Sequence, residues 1–251
     1  MSNNQDSMSN PRILSMGSGV QTTYILFKYW ERYANGKGVV IFADVGDEKP
    51  ETYYYIEKYL KPFCEGKNIE WVTVKSKLGT LMNYCMKKKL IPTRSFRWCT
   101  HKFKIMPIRK EVRKRGATAK NPFYQDIGIT TDEIHRANGQ KYDTLYLKSE
   151  YPLLDTKESR QNCADGIKAM GYPIPPKSGC YYCPYAKKKE MRKLHAEHRI
   201  LYDKASIMEQ NNGQYPKMTL FSVPLKNLNE NTSLDDFDDE LGECDSGHCF
   251  V

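Results

Sequence analysis

Cys99 lies in RWCTHKFKIMPIR (residues 97–109), and Cys180 and Cys183 form a C-x-x-C pair in SGCYYCPY (178–185). Three thiols with one tight pair are a metal-site pattern, suited to an iron–sulfur cluster or to zinc. Basic side chains crowd the first cysteine: Arg97, Lys102 and Lys104. A second chemical segment, RILSMGSGVQTTYIL (12–26), reads as a short strand, a Gly-rich turn and a helix start. Such a turn offers backbone N–H groups to a phosphate. A phosphate loop beside a thiol cluster points to nucleotide-dependent sulfur chemistry.

The elements around these segments alternate. An apolar run begins at Ile13, and the pattern after the loop predicts a helix over 22–34, with Tyr24, Leu26, Phe27 and Trp30 as buried positions. Residues 39–42 are continuously apolar, which suits a buried parallel strand. Further strands are predicted at 70–74 and 125–129, and further helices at 50–59, 78–88 and 106–114. This order predicts a doubly wound, mostly parallel α/β sheet. Ligands of such sheets sit beyond the carboxyl ends of the strands. Segments 15–22, 44–47 and 130–136 all follow apolar runs, so they should meet at one crevice. From residue 151 the character changes to helices (157–170 and 187–208) around a proline-rich turn and the C-x-x-C. The expected organisation is a disordered lead (1–11), a nucleotide-binding domain (12–150), a helical cysteine-containing region packed on it (151–228) and an acidic tail (229–251).

Composition narrows the class. No apolar stretch is long enough to span a membrane, and the polar N-terminus lacks a signal-peptide core. Eight cysteines with C-x-x-C spacing then argue for a reducing cytoplasm. Cys64 and Cys85 read as small buried residues. The net charge of +9 is asymmetric: residues 229–251 hold eight acidic groups and no Lys or Arg. The basic body before them would attract a nucleotide or a nucleic acid, with Lys187, Lys188, Lys189, Arg192, Lys193 and Arg199 as candidate contacts. The tail cysteines, Cys244 and Cys249, have no core to bury them, and an acidic segment can dock on a basic body.

Five segments in order carry a family resemblance. ADVGDEKPET (43–52) resembles the DTGxxxPET segment of phosphoadenosine phosphosulfate (PAPS) reductases, and SMGSGVQT resembles their SFGxQ loop. Cys99, Lys104 and Pro107 match the spacing of their CxxxxKxxP segment, and GITTDEIHR (128–136) resembles GIRxDESxxR. YPLLD through SGCYYCP is similar to their C-terminal region. Across residues 12–200 the chain thus resembles PAPS reductase-like proteins of the adenine-nucleotide α-hydrolase (PP-loop ATP pyrophosphatase) superfamily.

The resemblance implies an adenine nucleotide, ATP or PAPS, held by Ser15, Gly17, Ser18, Gly19, Gln21 and Thr22, with Gly128 lining the crevice. Asp44 would bind ribose or a metal, and Arg97, Lys102, Lys104 and Arg136 would neutralise phosphate or sulfate. Asp132 and Glu133 would coordinate magnesium or orient Arg136. It further implies a 4Fe–4S cluster on Cys99, Cys180 and Cys183, or structural zinc. The fourth ligand would come from Cys244, Cys249, Cys163 or a non-protein sulfur. Catalytic roles fall to Cys99, Lys104, Arg136 and the tail cysteines. The chain departs from the pattern at Gln21, where ATP pyrophosphatases carry aspartate. It has a single cysteine at residue 99 where cluster-bearing reductases have two, and its tail GECDSGHC is only loosely similar to their ECGLH. The leading expectation is a nucleotide-activated sulfur-transfer enzyme, including nucleic-acid thiolation, served by a sulfur donor protein. The alternatives are a sulfonucleotide reductase using a tail cysteine, and a nucleotide-binding regulator on nucleic acid without turnover.

Overall fold

Strand β1 (Arg12–Met16) is buried along its whole length and forms the centre of the sheet. The computed structural model describes residues 11–139, 143–214, 216–221 and 224–228. Around β1 lie β2 (Gly38–Asp44), β3 (Glu70–Lys75), β4 (Phe123–Asp126) and β5 (Leu147–Glu150), in the order β3-β2-β1-β4-β5 and all parallel. The doubly wound α/β class expected from the sequence is the one observed. The chain winds from β1 outward to β3, then crosses to β4 on the other side. The topological switch point therefore lies between β1 and β4, where such sheets bind ligands.

Alternation along the strands divides the core. Leu14, Met16, Val40 and Phe42 point to one face, where α1 (Val20–Lys28) and α9 (Arg160–Ala169) pack. Ile13, Val39, Ile41 and Ala43 point to the other, against Ile108 and Val112 of α6 (Met106–Lys114). Gly166 lets α9 close on α1: a Cβ there would stand 2.2 Å from the Tyr24 ring.

Helices α2 (Pro50–Tyr55) and α3 (Lys61–Gly66) are joined by a π-helical turn, Ile56–Leu60, so the helix runs on past the expected end at residue 59. A second π turn, His101–Ile105, joins the short α5 (Trp98–Thr100) to α6. Both turns precede a proline, Pro62 or Pro107, whose missing N–H breaks the regular ladder.

A third cluster lies beyond β2. It joins Val45, α4 (Leu81–Lys88), Phe103 and the cysteine segment to α10 (Lys188–Glu197) and α11 (Arg199–Gln210). The single helix expected over 187–208 is broken at His198, which leaves helical backbone and meets Glu51 at 2.9 Å. The strand expected at 125–129 starts two residues earlier and ends three earlier, because residues 127–129 already turn into the switch-point loop. Short helices α7 (Ile134–Gly139) and α8 (Pro152–Asp155) complete the layers. No helix among the described residues is long and apolar enough to cross a membrane.

Asp126 is fully buried and accepts hydrogen bonds from Arg12 (2.8 Å) and the Tyr33 hydroxyl (2.5 Å). Asp126→Ala would leave a buried hydroxyl and a guanidinium short of an acceptor. Its unfolding free energy in urea is expected to fall by about 3–5 kcal/mol. A loss under 1 kcal/mol would show that the network is dispensable.

Candidate functional site

The loop after β1 is shaped for an anion. Ser18 takes a left-handed conformation (φ 59°), and Gly19 is the extended residue that starts α1. No side chain caps the helix and its first turn carries no acid, so its leading N–H groups are open to a ligand. Ser15, Ser18, Gln21, Thr22 and Thr23 are buried around it. The hydroxyls of Ser15, Ser18 and Thr23 and the Gln21 amide nitrogen have no hydrogen-bond partner among the described residues. Across the switch point, the Thr130 hydroxyl and the Nε and Nη2 of buried Arg136 are in the same condition. Each unsatisfied buried group costs about 1–3 kcal/mol. The concentration of such donors fits a phosphate group as the missing partner.

The surrounding contacts fix this geometry. Glu133 holds Arg136 at 2.5 Å, and Asp132 accepts the Arg160 N–H at 2.6 Å. Glu133 thus orients Arg136, one of the two roles expected for the pair, whereas Asp132 holds the backbone amide at the start of α9. Arg160, absent from the sequence expectations, donates to the Gln21 side-chain oxygen at 3.3 Å. Its only sequence signal is its place after the Ser159 helix cap. Gly128 packs directly on α1: a Cβ there would lie 2.9 Å from Thr22 Cγ2 and 3.2 Å from the Thr22 backbone nitrogen. Asp44 ends β2, where its Oδ1 accepts from the Gly46 N–H (2.8 Å) and the Tyr53 hydroxyl (2.7 Å), while Lys75 pairs with Oδ2 at 3.2 Å.

The segment following Asp44 carries the cysteines' support. Glu48 and Cys180 form an antiparallel bridge, with Tyr181 N–H donating to the Asp47 carbonyl at 3.1 Å. The buried Glu48 carboxylate takes Lys104 on one oxygen (3.0 Å) and the Gly179 N–H on the other (2.7 Å). Asp47 accepts from the Met82 N–H (2.7 Å) and the Tyr182 hydroxyl (3.0 Å), and burial pushes its carboxyl above the usual range. The sequence motif contained both acids but gave them no partners.

Cys99, Cys180 and Cys183 line one cavity, partly open to solvent, together with Arg97, Lys104 and Thr93. Arg97, just before α5, holds a left-handed backbone (φ 38°), a strained conformation typical of functional turns. Three cysteine sulfurs on one lining form a donor set that fits a metal ion or an iron–sulfur cluster. Lys102 stands outside, exposed, with its ammonium on the Tyr84 hydroxyl (2.9 Å). Cys163 lies on α9 in the core beside α1, away from this cluster, and burial pushes its thiol up to about 12. That placement removes it as a fourth ligand. Cys244 and Cys249 lie outside the described residues.

The class that these features define is a doubly wound α/β fold: an all-parallel sheet with an anion-ready loop at its switch point. Among solved structures, the chain is similar to "U34-tRNA thiolase NcsA from Methanococcus maripaludis with its 4Fe–4S cluster". The likeness has a TM-score of 0.52 at 16% identity and covers 86% of this chain and 76% of that one. At that identity the likeness is one of fold. No family model matches the sequence, and neither does any curated protein.

Two outcomes follow from this geometry. Gly128→Val would push the first turn of α1 from its place, and adenine-nucleotide affinity measured by calorimetry is expected to fall at least tenfold. Unchanged affinity would separate this crevice from the nucleotide. The second concerns Glu190, which ties α10 to Lys49 (3.0 Å) and to Lys177 before the cysteine loop (2.8 Å). Burial opposes its charge, but the two lysines and the Lys187 N–H prevail and hold its carboxyl down at about 2. A depressed carboxyl stabilises above its unfolded value near 4.5 and loses that contribution as pH falls toward 2. Glu190→Gln should therefore remove roughly 2–3 kcal/mol at pH 7. The variant and wild type should converge only as the pH falls to about 2 and below, in pH-resolved urea unfolding.

Proposed function

We propose that this chain is an adenine-nucleotide-dependent sulfur-transfer enzyme, with nucleic acid as the sulfur acceptor. One observation carries the reading. The anion-ready loop after β1 and the cysteine cavity built on the segment after β2 lie at the same end of two adjacent parallel strands. A fold shared with a cluster-bearing tRNA thiolase supports it.

In this reading ATP is split between its α and β phosphates. The N–H groups around Gly17 and Gly19, with Ser15, Ser18, Gln21 and Thr22, hold the pyrophosphate, and Mg²⁺ accompanies it. Arg136, fixed by Glu133, supplies its two unpartnered donors to the phosphates. Asp44 and Gly128 border the nucleoside. Activation links the acceptor's oxygen to the nucleotide α-phosphate. Sulfur then takes that oxygen's place on carbon, and the oxygen leaves with AMP. Cys99, Cys180 and Cys183 would hold a 4Fe–4S cluster, with Cys244, Cys249 or a non-protein sulfur as fourth ligand. Bound there, such a cluster offers an iron able to carry sulfur. Arg97 and Lys104 favour the anionic sulfur groups, and Lys102 adds positive charge outside the cavity.

The test is anaerobically purified protein given ATP, sulfide and RNA or DNA. The expected result is pyrophosphate release with sulfur incorporated into the nucleic acid, read by mass spectrometry, while PAPS is inert. Sulfite from PAPS with ATP inert would replace this reading by a sulfonucleotide reductase, in which Cys244 or Cys249 attacks sulfur. Binding of ATP without turnover would favour a regulator. Truncation after Leu228 is expected to lower turnover and metal content together. If neither changes, the chemistry belongs to Cys99, Cys180 and Cys183 alone.

A further inference from the structure

Between Glu70 and Glu111 the chain carries eleven Lys and Arg and no Asp or Glu. On α10 and α11, by contrast, Lys193 meets Glu197 and Arg199 meets Asp203, so much of that charge is compensated locally. Lys75 and Lys104 also meet carboxylates, Asp44 and Glu48. Lys87, Lys88, Lys89, Arg94 and Lys102 are exposed. The three lysines end α4, and the chain passes from them to the cavity lining at Pro92 and Thr93.

Aromatic rings are interleaved with this charge. Phe96 is 78% exposed, three residues before Cys99. The Arg94 guanidinium lies over the Tyr185 ring at 5.6 Å, and Tyr185 lines the cavity beside Cys99. Lys102 lies over Tyr84 at 5.1 Å and over Trp98 at 5.9 Å. The Thr93 hydroxyl, on the same lining, has no hydrogen-bond partner among the described residues. Positive charge alone would suit any polyanion. Charge beside an exposed ring suits one whose repeating unit also has a flat face. An acidic peptide supplies the charge without the rings, and a duplex keeps its faces stacked inside.

We propose that this rim seats an unpaired base of a single-stranded polynucleotide, stacked on Phe96, with flanking phosphates on Arg94, Lys102 and the lysines ending α4. The base is thereby presented at the mouth of the cavity that holds Cys99. A base within a duplex would have to leave its stack to reach that position. The inference rests on the proposed nucleic-acid acceptor and adds where, and in what conformation, that acceptor binds.

The experiment is fluorescence anisotropy of labelled single-stranded and duplex oligonucleotides of equal length, titrated with full-length wild type, Phe96→Ala and Phe96→Tyr. Wild type is expected to prefer the single strand. Phe96→Ala should weaken single-strand binding about 5- to 150-fold, the span seen for loss of one stacking platform. Phe96→Tyr should restore most of it, and duplex binding should not move. Arg94→Gln should weaken both forms and flatten the salt dependence. Less than a twofold effect of Phe96→Ala, or an equal loss for duplex, would overturn the proposal. So would a wild type that ignores oligonucleotides but binds a peptide of residues 229–251 at this rim. Phe96-dependent binding without any sulfur transfer would leave this inference standing and remove the enzymatic reading. Transfer to a small molecule without oligonucleotide binding would do the reverse.

Discussion

The site depends on one buried carboxylate. Glu48 receives Lys104 from the segment leading into α6 and the Gly179 N–H from the loop that carries Cys180. Two stretches of chain, 56 and 131 residues from it, are thereby fixed to the segment that follows β2. A buried charge survives only with its partners in place, so the contact is also a demand. The cysteine loop must dock where it does, or Glu48 is stranded. Asp47 works beside it, gripping Met82 and Tyr182, so the two acids hold the wall and the floor of the same cavity.

Around the phosphate loop the logic is reversed. There the fold leaves donors without acceptors instead of completing them. Ser15, Ser18, Thr130 and Arg136 come from both sides of the switch point, and the parallel sheet brings them together because every strand ends at the same edge. A polypeptide that invests in aligned donors and leaves them unanswered is prepared for a ligand with many acceptor oxygens.

Much of this was legible in the sequence, and the rest had physical reasons to be hidden. Strand β2 was clear because its apolar run is continuous, as in a strand buried on both faces, and helix α6 because Pro107 opens it. Strand β5, LKSE, has no such signal: it is four residues long and held by pairing with β4. The break at His198 was invisible because apolar spacing continues across it, and the contact with Glu51 is 147 residues distant. The loop glycines and the three cavity cysteines were recognisable as types at a spacing. Arg160 and the partners of Asp47 and Glu48 were not, since polar contacts between residues 35 to 139 apart leave no periodic trace. Cys163 misled because composition records a thiol but not its surroundings.

Those surroundings divide the chain's sulfur into two populations. Burial pushes Cys64 and Cys163 up to about 12 and Cys85 higher still. At neutral pH only about one in 10⁵ of the first two is thiolate, the form that attacks oxidants and alkylating agents. Cys99 and Cys183 are instead half-buried, and they line a cavity with Arg97 and Lys104. Oxidative damage to the described cysteines is thus steered by the protein's own dielectric. The core sulfurs ride through as inert packing, and an oxidant meets the half-buried Cys99 and Cys183 first.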